Sequence, residues 1–450
     1  MKNIRLLLVF GFCAILISKT TSQPAGKWTG EIDVLGQKIG INVNFSHNPD
    51  SLEGSLSIPS QGAHDLMLNS VVWESPGLSF QVDTATTHLA FDGKMVNDTI
   101  AGDFTQSGYQ GTFYLTKFQK KETPWVDKEV TFNSEGLTMS ATLSLPDTAG
   151  SYPGVVLVSG SGGQDRSENV SGFKVFDKLS AALLKSGIAV IRYDDRGTGK
   201  SEGQDVMNYT TRELAKDAEA AFQKLISNPH VDKGKSGIIG HSEGAIIAGE
   251  VAINNTEVDY ILLMAGSAVR GDKLLVAQSE AIMKAQGMDE NYVKSVSELN
   301  KKIYSQLMKE EVNWGKLKDE LWQGFAGLKK KEKLTSIDST TIEKQVKAQL
   351  TAIKRPWFQH FIKLNPIEIY RDVDVPAVAM FGGKDSQVPA RQNARAIEKM
   401  GKENFEIKLF PDANHLFQKA ETGSPTEYGK LDKKFIDGFT HYIVDWIKQK

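Results

Sequence analysis

The sequence predicts a mixed α/β protein: a mostly parallel, doubly wound sheet with a helical insertion, preceded by a small all-β region. Three patterns lead there. Short apolar runs at residues 153–158, 189–193, 236–239, 260–266 and 375–381 do not alternate, as expected of strands buried on both faces, and helical stretches separate most of them. Residues 24 to about 118 have a different grammar. Segments 39–45, 52–58 and 100–104 alternate apolar and polar residues between turn-rich breaks, which predicts a small antiparallel sandwich or open barrel. From about 272 to 370 the chain is rich in Lys, Glu, Leu and Gln at helical spacing, which predicts a helical cap inserted between two core strands.

Taken in chain order, residues 1–22 have the layout of a secretory signal peptide. Lys2 and Arg5 precede an apolar run at 6–17, and small residues at 20 and 22 suit cleavage after Ser22. The run is too short for a comfortable transmembrane span. Cys13 is the only cysteine, and the bulky Phe12 before it argues against lipid attachment. The mature chain is therefore expected to lack disulfides, thiolate metal sites and a cysteine nucleophile, and export without disulfides suits a bacterial periplasm or an extracellular destination. The 53 basic residues less Lys2, Arg5 and Lys19 leave 50 against 55 acidic, a net charge of about −5 that argues against a nucleic-acid partner. No metal-ligand spacing and no solenoid-length repeat occurs, and no cofactor is expected.

Residues 23–120 form the expected β module, whose role is either a folded support or substrate gating and carbohydrate binding. Residues 120–127 read as a linker, and 130–145 as an antiparallel hairpin opening the second domain, 125–450. Within the cap, expected at about 270–370, the charged run from Lys329 to Lys333 reads as a solvated helix end.

The chemistry is announced at Gly240-His241-Ser242-Glu243-Gly244, which falls between an apolar strand and the small-residue stretch 245–249. A strand, a tight turn and a packed helix push the central serine into a strained backbone geometry that exposes its hydroxyl, and the flanking glycines leave room for the turn. Ser242 is the candidate nucleophile. A serine hydroxyl needs a histidine base and an acid to orient it. Asp385 follows the apolar strand at 375–381, at the carboxyl end where an α/β sheet gathers its functional groups. The competing reading is that it caps a helix starting near Pro389. His415 follows the alternating strand 405–410, which Pro411 stops. The other seven histidines sit in the β module, before the elbow, inside it, before the acid or in the final helix. Asp412 is the weaker candidate acid.

Stabilising an oxyanion requires backbone N–H groups, and the glycine-rich loop 159–163 after the strand 153–158 offers them. The candidates are the amides of Ser161, Gly162 and Glu243; the alternative is a flexible connector. A phosphate-like string, Gly197-Thr198-Gly199-Lys200-Ser201, lacks the first glycine of a P-loop, because Asp194 stands there. It reads as a structural loop beside the elbow, with Arg196 paired to an aspartate. In the cap, Trp357, Phe358 and Phe361 either line an acyl pocket or pack the cap against the body.

Residues 160–166, 193–201 and 240–244, with Asp385 and His415, together resemble the bacterial α/β-hydrolases of the serine-aminopeptidase-like esterase group, over roughly residues 125–450. The resemblance implies an α/β-hydrolase fold and hydrolysis of a small-molecule carboxylic ester through an acyl-enzyme, and similar β modules precede the hydrolase domain in some secreted relatives. Ser159 departs from the histidine of the H-G-x-G loop in many lipases and esterases, which leaves the backbone donors in place. Ala245 stands where relatives commonly have glycine and is still small enough for close packing. Two other functions stay open: a peptidase or amidase using the same three residues, and a non-enzymatic glycan-binding surface protein with a degenerate hydrolase body.

Overall fold

The structure is a computed structural model that describes residues 23–34, 36–48, 51–58, 63–84, 88–106, 108–118, 123–331 and 338–450. The expected signal peptide with Cys13, the start of the expected linker and the end of the 329–333 run lie outside these residues. The chain divides into two compact units, residues 1–122 and 123–450.

The first unit is β1 (Gly26–Val34), β2 (Gln37–Asn48), β3 (Ser51–Ile58), β4 (Ala63–Met67), β5 (Ser70–Glu74), β6 (Gly77–Asp83), β7 (His88–Val96), β8 (Thr99–Gln106) and β9 (Tyr109–Lys117). They form one antiparallel sheet in the order β4-β3-β2-β1-β9-β8-β7-β6-β5. Of the two expected forms, sandwich or open barrel, the single sheet matches the open barrel, with β3 in contact with β5. The alternation turns one residue of each pair inward, where Phe80 stacks on Phe91 at 4.4 Å and Phe113 meets both edge-on.

The second unit begins with β10 (Val126–Ser134) and β11 (Leu137–Leu145), so the strand starts within the segment expected as linker. Then come β12 (Tyr152–Val158), the two-residue strands β13 (Asn169–Val170) and β14 (Phe173–Lys174), α1 (Val175–Lys185), β15 (Ala189–Tyr193), α2 (Thr211–Ile226), β16 (Val231–His241), α3 (Glu243–Asn254) and β17 (Tyr260–Met264). Six helices follow: α4 (Gly271–Ala285), α5 (Glu290–Leu307), α6 (Trp314–Lys331), α7 (Ser339–Ile353), α8 (Pro356–Phe361) and α9 (Pro366–Arg371). The chain closes with β18 (Ala377–Gly382), α10 (Ala390–Met400), β19 (Phe405–Phe410) and α11 (Phe439–Lys448).

The main sheet runs β10-β11-β15-β12-β16-β17-β18-β19. β11 pairs antiparallel with β10 and β15, and every later neighbour is parallel. Its apolar strands serve two cores. Val156 and Val158 of β12 face the cluster under α2 and α3, whereas Val155 and Leu157 face the cluster under α1 and α11. This double burial explains why the strands read as unbroken apolar runs. α2 is started by a capping box in which Thr210 and Glu213 satisfy each other's amides.

The cap is α4–α9, inserted between β17 and β18, with its own core of residues such as Ile303, Leu307, Leu317 and Val346. Its two ends are stitched together: the Gly271 amide donates to Leu364 O and the Asp272 amide to Ile362 O, each at 3.0 Å. A Cβ on Gly271 would lie 2.0 Å from Phe361 O, so only glycine permits that approach. Among the described residues no helix is long and apolar enough to cross a membrane.

Candidate active site

β16 ends at His241 and α3 starts at Glu243, so Ser242 occupies the turn between them at φ 55°, ψ −114°. A non-glycine residue there costs about 1–3 kcal/mol and persists only where the surroundings over-determine it. Here they do. The Ser242 amide donates to Met264 O at 2.8 Å. A Cβ at Gly240 would sit 2.0 Å from Gly244 O, and one at Gly244 would sit 2.2 Å from Val158 O. Both flanking positions are therefore closed to any side chain, and Ser242 is left half-buried at the carboxyl end of the sheet.

Two neighbouring strand ends bring Asp385 and His415 together. Asp385 follows β18 and is buried; its Oδ1 accepts from the Gln387 and Val388 amides at 2.7 and 2.8 Å, which fixes the turn before α10. Its other oxygen, Oδ2, lies 2.7 Å from His415 Nδ1. An ionised carboxylate only accepts, so Nδ1 carries the proton and a neutral His415 keeps its lone pair on Nε2. The N-cap of α10 is Pro389, and no side chain caps that helix. Asp412 is turned away, 60% exposed, with Lys384 at 3.6 Å.

His241 links the serine's neighbourhood to that pair. Its Nε2 donates to His415 O at 3.0 Å, and the two imidazole rings are 4.8 Å apart. Its Nδ1 lies 2.7 Å from Glu168 Oε1, a second histidine–carboxylate pair that is almost wholly buried. Burial works against a charge on His241, but Glu168, the His415 carbonyl and Asp385 outweigh it, and its pKa is raised. Reading the sequence did not single out Glu168 or give His241 a role. The available signal was a histidine at the buried end of an apolar strand, since such a polar group must find a partner.

The loop after β12 lies against the elbow, because a Cβ on Gly160 would come within 3.1 Å of Ser242 Cβ. Two carboxylates, the buried Glu168 and the half-buried Asp195, clamp this loop. Glu168 Oε1 accepts from the Gly160 amide at 2.9 Å. Asp195 accepts from Ser159 Oγ at 2.9 Å and from the Gln164 amide at 2.9 Å, and burial holds its carboxyl well above the usual range despite those bonds. The Ser161 and Gly162 amides donate to no group among the described residues, and Gly162 takes φ +90°. The Glu243 amide belongs to the first turn of α3, where N–H groups lack intrahelical partners.

Glu243 itself points away from solvent. Its Oε1 accepts from Thr211 Oγ1 at 2.7 Å, and its two oxygens lie 2.9 and 2.8 Å from Trp357 Nε1. Burial pushes this carboxyl up to about 7, with the Thr211 and Trp357 hydrogen bonds opposing it. Trp357 in turn stacks on Phe361 at 4.8 Å, and both are buried in the core cluster that includes Ile246 of the elbow helix. Phe358 packs against both that cluster and the cap's own core.

The 194–201 segment is tied to the body. Asp194 accepts from the Lys200 amide at 3.0 Å and from Arg166, and a Cβ on Gly199 would press within 2.5 Å of it. The amide that a phosphate would need is thus spent on a carboxylate. Arg196 grips Asp217 through two hydrogen bonds of 2.6 and 2.9 Å. Among the described residues no group of three or more His, Cys, Asp or Glu side chains is placed to hold a metal ion.

A parallel sheet opened by an antiparallel hairpin, a serine elbow after β16, an inserted cap and a histidine loop after β19 make this an α/β-hydrolase. Residues 170–421, more than half of the chain, match the family described as Serine aminopeptidase, S33, and the protein belongs to that family of hydrolases. It is similar to Esterase EstD of Thermotoga maritima, with 25% identity over 350 residues that cover 77% of this chain and 74% of that protein. Among solved structures, an esterase of Pyrococcus furiosus is 16% identical, covering 74% of this chain and 96% of its own, at a TM-score of 0.46. An esterase of Exiguobacterium antarcticum is 15% identical, covering 71% and 100%, at 0.40.

Proposed function

We propose that this protein is an exported serine hydrolase that cleaves small carboxylic esters through an acyl-enzyme. Ser242 Oγ attacks the ester carbonyl as His415 Nε2 takes its proton, and Asp385 holds the imidazolium that results. The Ser161 and Glu243 amides, with Gly162 beside them, receive the oxyanion. Collapse breaks the carbonyl–alkoxide bond, the imidazolium returns the proton to the leaving alcohol, and water repeats the sequence to release the acid. The observation that carries this reading is the 2.7 Å Asp385–His415 contact, made by a histidine whose backbone carbonyl is held by His241, the residue before the strained turn of Ser242. Trp357, Phe358 and Phe361 form the acyl side of the site, a role supported by the bond from Trp357 to the residue after the nucleophile. Export rests on the pattern of residues 1–22, and the β module then serves as a folded support outside the chemistry.

The family's description favours a second reading, an aminopeptidase or amidase using the same groups. One experiment separates these readings and tests them. Purified mature protein is labelled with a fluorophosphonate and then assayed against esters of graded acyl length beside aminoacyl and peptidyl anilides. The expected outcome is labelling, ester turnover and a loss on the order of 10⁴–10⁶ in kcat in Ser242→Ala. Faster anilide turnover would select the peptidase. An unlabelled protein without turnover on either panel would leave a degenerate hydrolase body and favour glycan binding. A Ser242→Ala variant that keeps a tenth of the activity would move the nucleophile elsewhere.

A further inference from the structure

Glu168 and His241 take no part in the chemistry just described, yet between them they touch the loop after β12, the elbow and the His415 loop. Glu168 has φ 46°, a left-handed conformation that a side chain seldom adopts without tertiary support. From there a single oxygen, Oε1, accepts from the Gly160 amide and from His241 Nδ1. The other ring nitrogen of His241 donates to the carbonyl of His415. Both nitrogens face acceptors, so both bonds form only when the ring carries two protons; a neutral imidazole would lose one of them. The groups facing the pair are Asp195 after β15, Asp385 after β18 and His415 after β19.

We propose that Glu168 and His241 are positioning residues for the hydrolytic reaction, a buried carboxylate–imidazolium pair that holds the oxyanion loop, the nucleophile elbow and the backbone of His415 in one register. The inference rests on the roles given above to Ser242, His415 and Asp385. It adds a charge to the site as well as a brace. His241 is the member of the pair in ring contact with His415, so its positive charge opposes a second one on that ring. Removing the charge of Glu168 removes the support for that of His241, and the acidic limb of the rate profile then moves to higher pH.

The test compares Glu168→Gln and His241→Gln with the wild type, measuring kcat, KM and the pH profile of kcat/KM on a short-chain aryl ester, with circular dichroism and thermal unfolding alongside. The Glu168→Gln variant keeps an acceptor for the Gly160 amide but not the charge, and the His241→Gln variant keeps a single donor group. The expected result is a fall in kcat of about tenfold or more with KM within about threefold. An upward shift of the acidic limb by about half a pH unit or more should accompany it. A brace without electrostatic effect would not move that limb. The proposal is overturned if either variant folds and keeps the wild-type kcat and limb, or if the loss of rate equals the unfolded fraction while the limb stays fixed. His241→Gln keeps the question open to refutation should Glu168→Gln fail to fold. Failure of the underlying reading looks different, because it would appear as an active Ser242→Ala.

Discussion

Glu243→Gln isolates one consequence of burying a carboxylate beside Ser242. In the native protein this carboxyl is shifted from 4.5 to about 7, chiefly because burial penalises its charged form. A raised acid pKa means that the folded state binds more protons than the unfolded chain between those two values. Its contribution is therefore fully present below about pH 4.5 and is lost as pH rises through 7. Integrating between pH 5 and pH 8 gives a loss of about 2.5 kcal/mol from this one group. Glutamine is nearly isosteric and can accept from Thr211 and Trp357, but it does not titrate. Any cost of orienting its amide is independent of pH, so it cancels when the two pH values are compared. Urea unfolding of wild type and variant at pH 5 and pH 8 reads the effect directly, and the stability difference should swing by about 2.5 kcal/mol in favour of glutamine at the higher pH. A swing below about 0.5 kcal/mol would refute the reasoning.

Asp385→Asn keeps the geometry of its turn but presents the wrong partner to His415 Nδ1, and ester hydrolysis should fall by about 10⁴. Asp412→Asn, on an exposed side chain paired with Lys384, should leave the rate within about twofold, and a reversal of the two would exchange their roles. Trp357→Phe retains the stack on Phe361 and removes only the donor to Glu243. At pH 8 it should cost about 1.5–3 kcal/mol in urea unfolding, and much less at pH 5, where the carboxyl can protonate; an equal cost at both would argue against a charged acceptor.

What could be read in the sequence was what is written locally. The elbow is set by two glycines within three residues of Ser242, and the double burial of β12 is written in its unbroken apolar run. The cap shows as a helical stretch between two such runs. Strand order in the β module is not local, because alternation says which side chains turn inward but not which strands pair, and a sandwich and a curled sheet share the same alternation. The same limit hid the pairings around the site. Glu168 and His241 stand 73 residues apart, and Glu243 and Trp357 stand 114 apart. No periodicity joins them; only the desolvation cost of an unpartnered buried group requires that partners exist. Trp357 shows the ambiguity from the other side, since aromatic residues in a cap have the composition of a pocket wall and of a packing interface alike.

The stitching of Gly271 and Asp272 to Leu364 and Ile362 makes the cap a closed excursion from the sheet. A chain that leaves and returns at one point exerts no demand on the distance between β17 and β18, and the entropy of closing such a loop grows only with the logarithm of its length. Helices can be lengthened, lost or exchanged inside it while the parallel register of the two strands remains as it is. The architecture thereby separates two rates of evolutionary change. The strand ends that hold Ser242, Asp385 and His415 tolerate almost no movement, whereas the inserted helices away from Trp357 and Phe361 are free to drift, and change can be explored there without re-solving the folding of the hydrolase body.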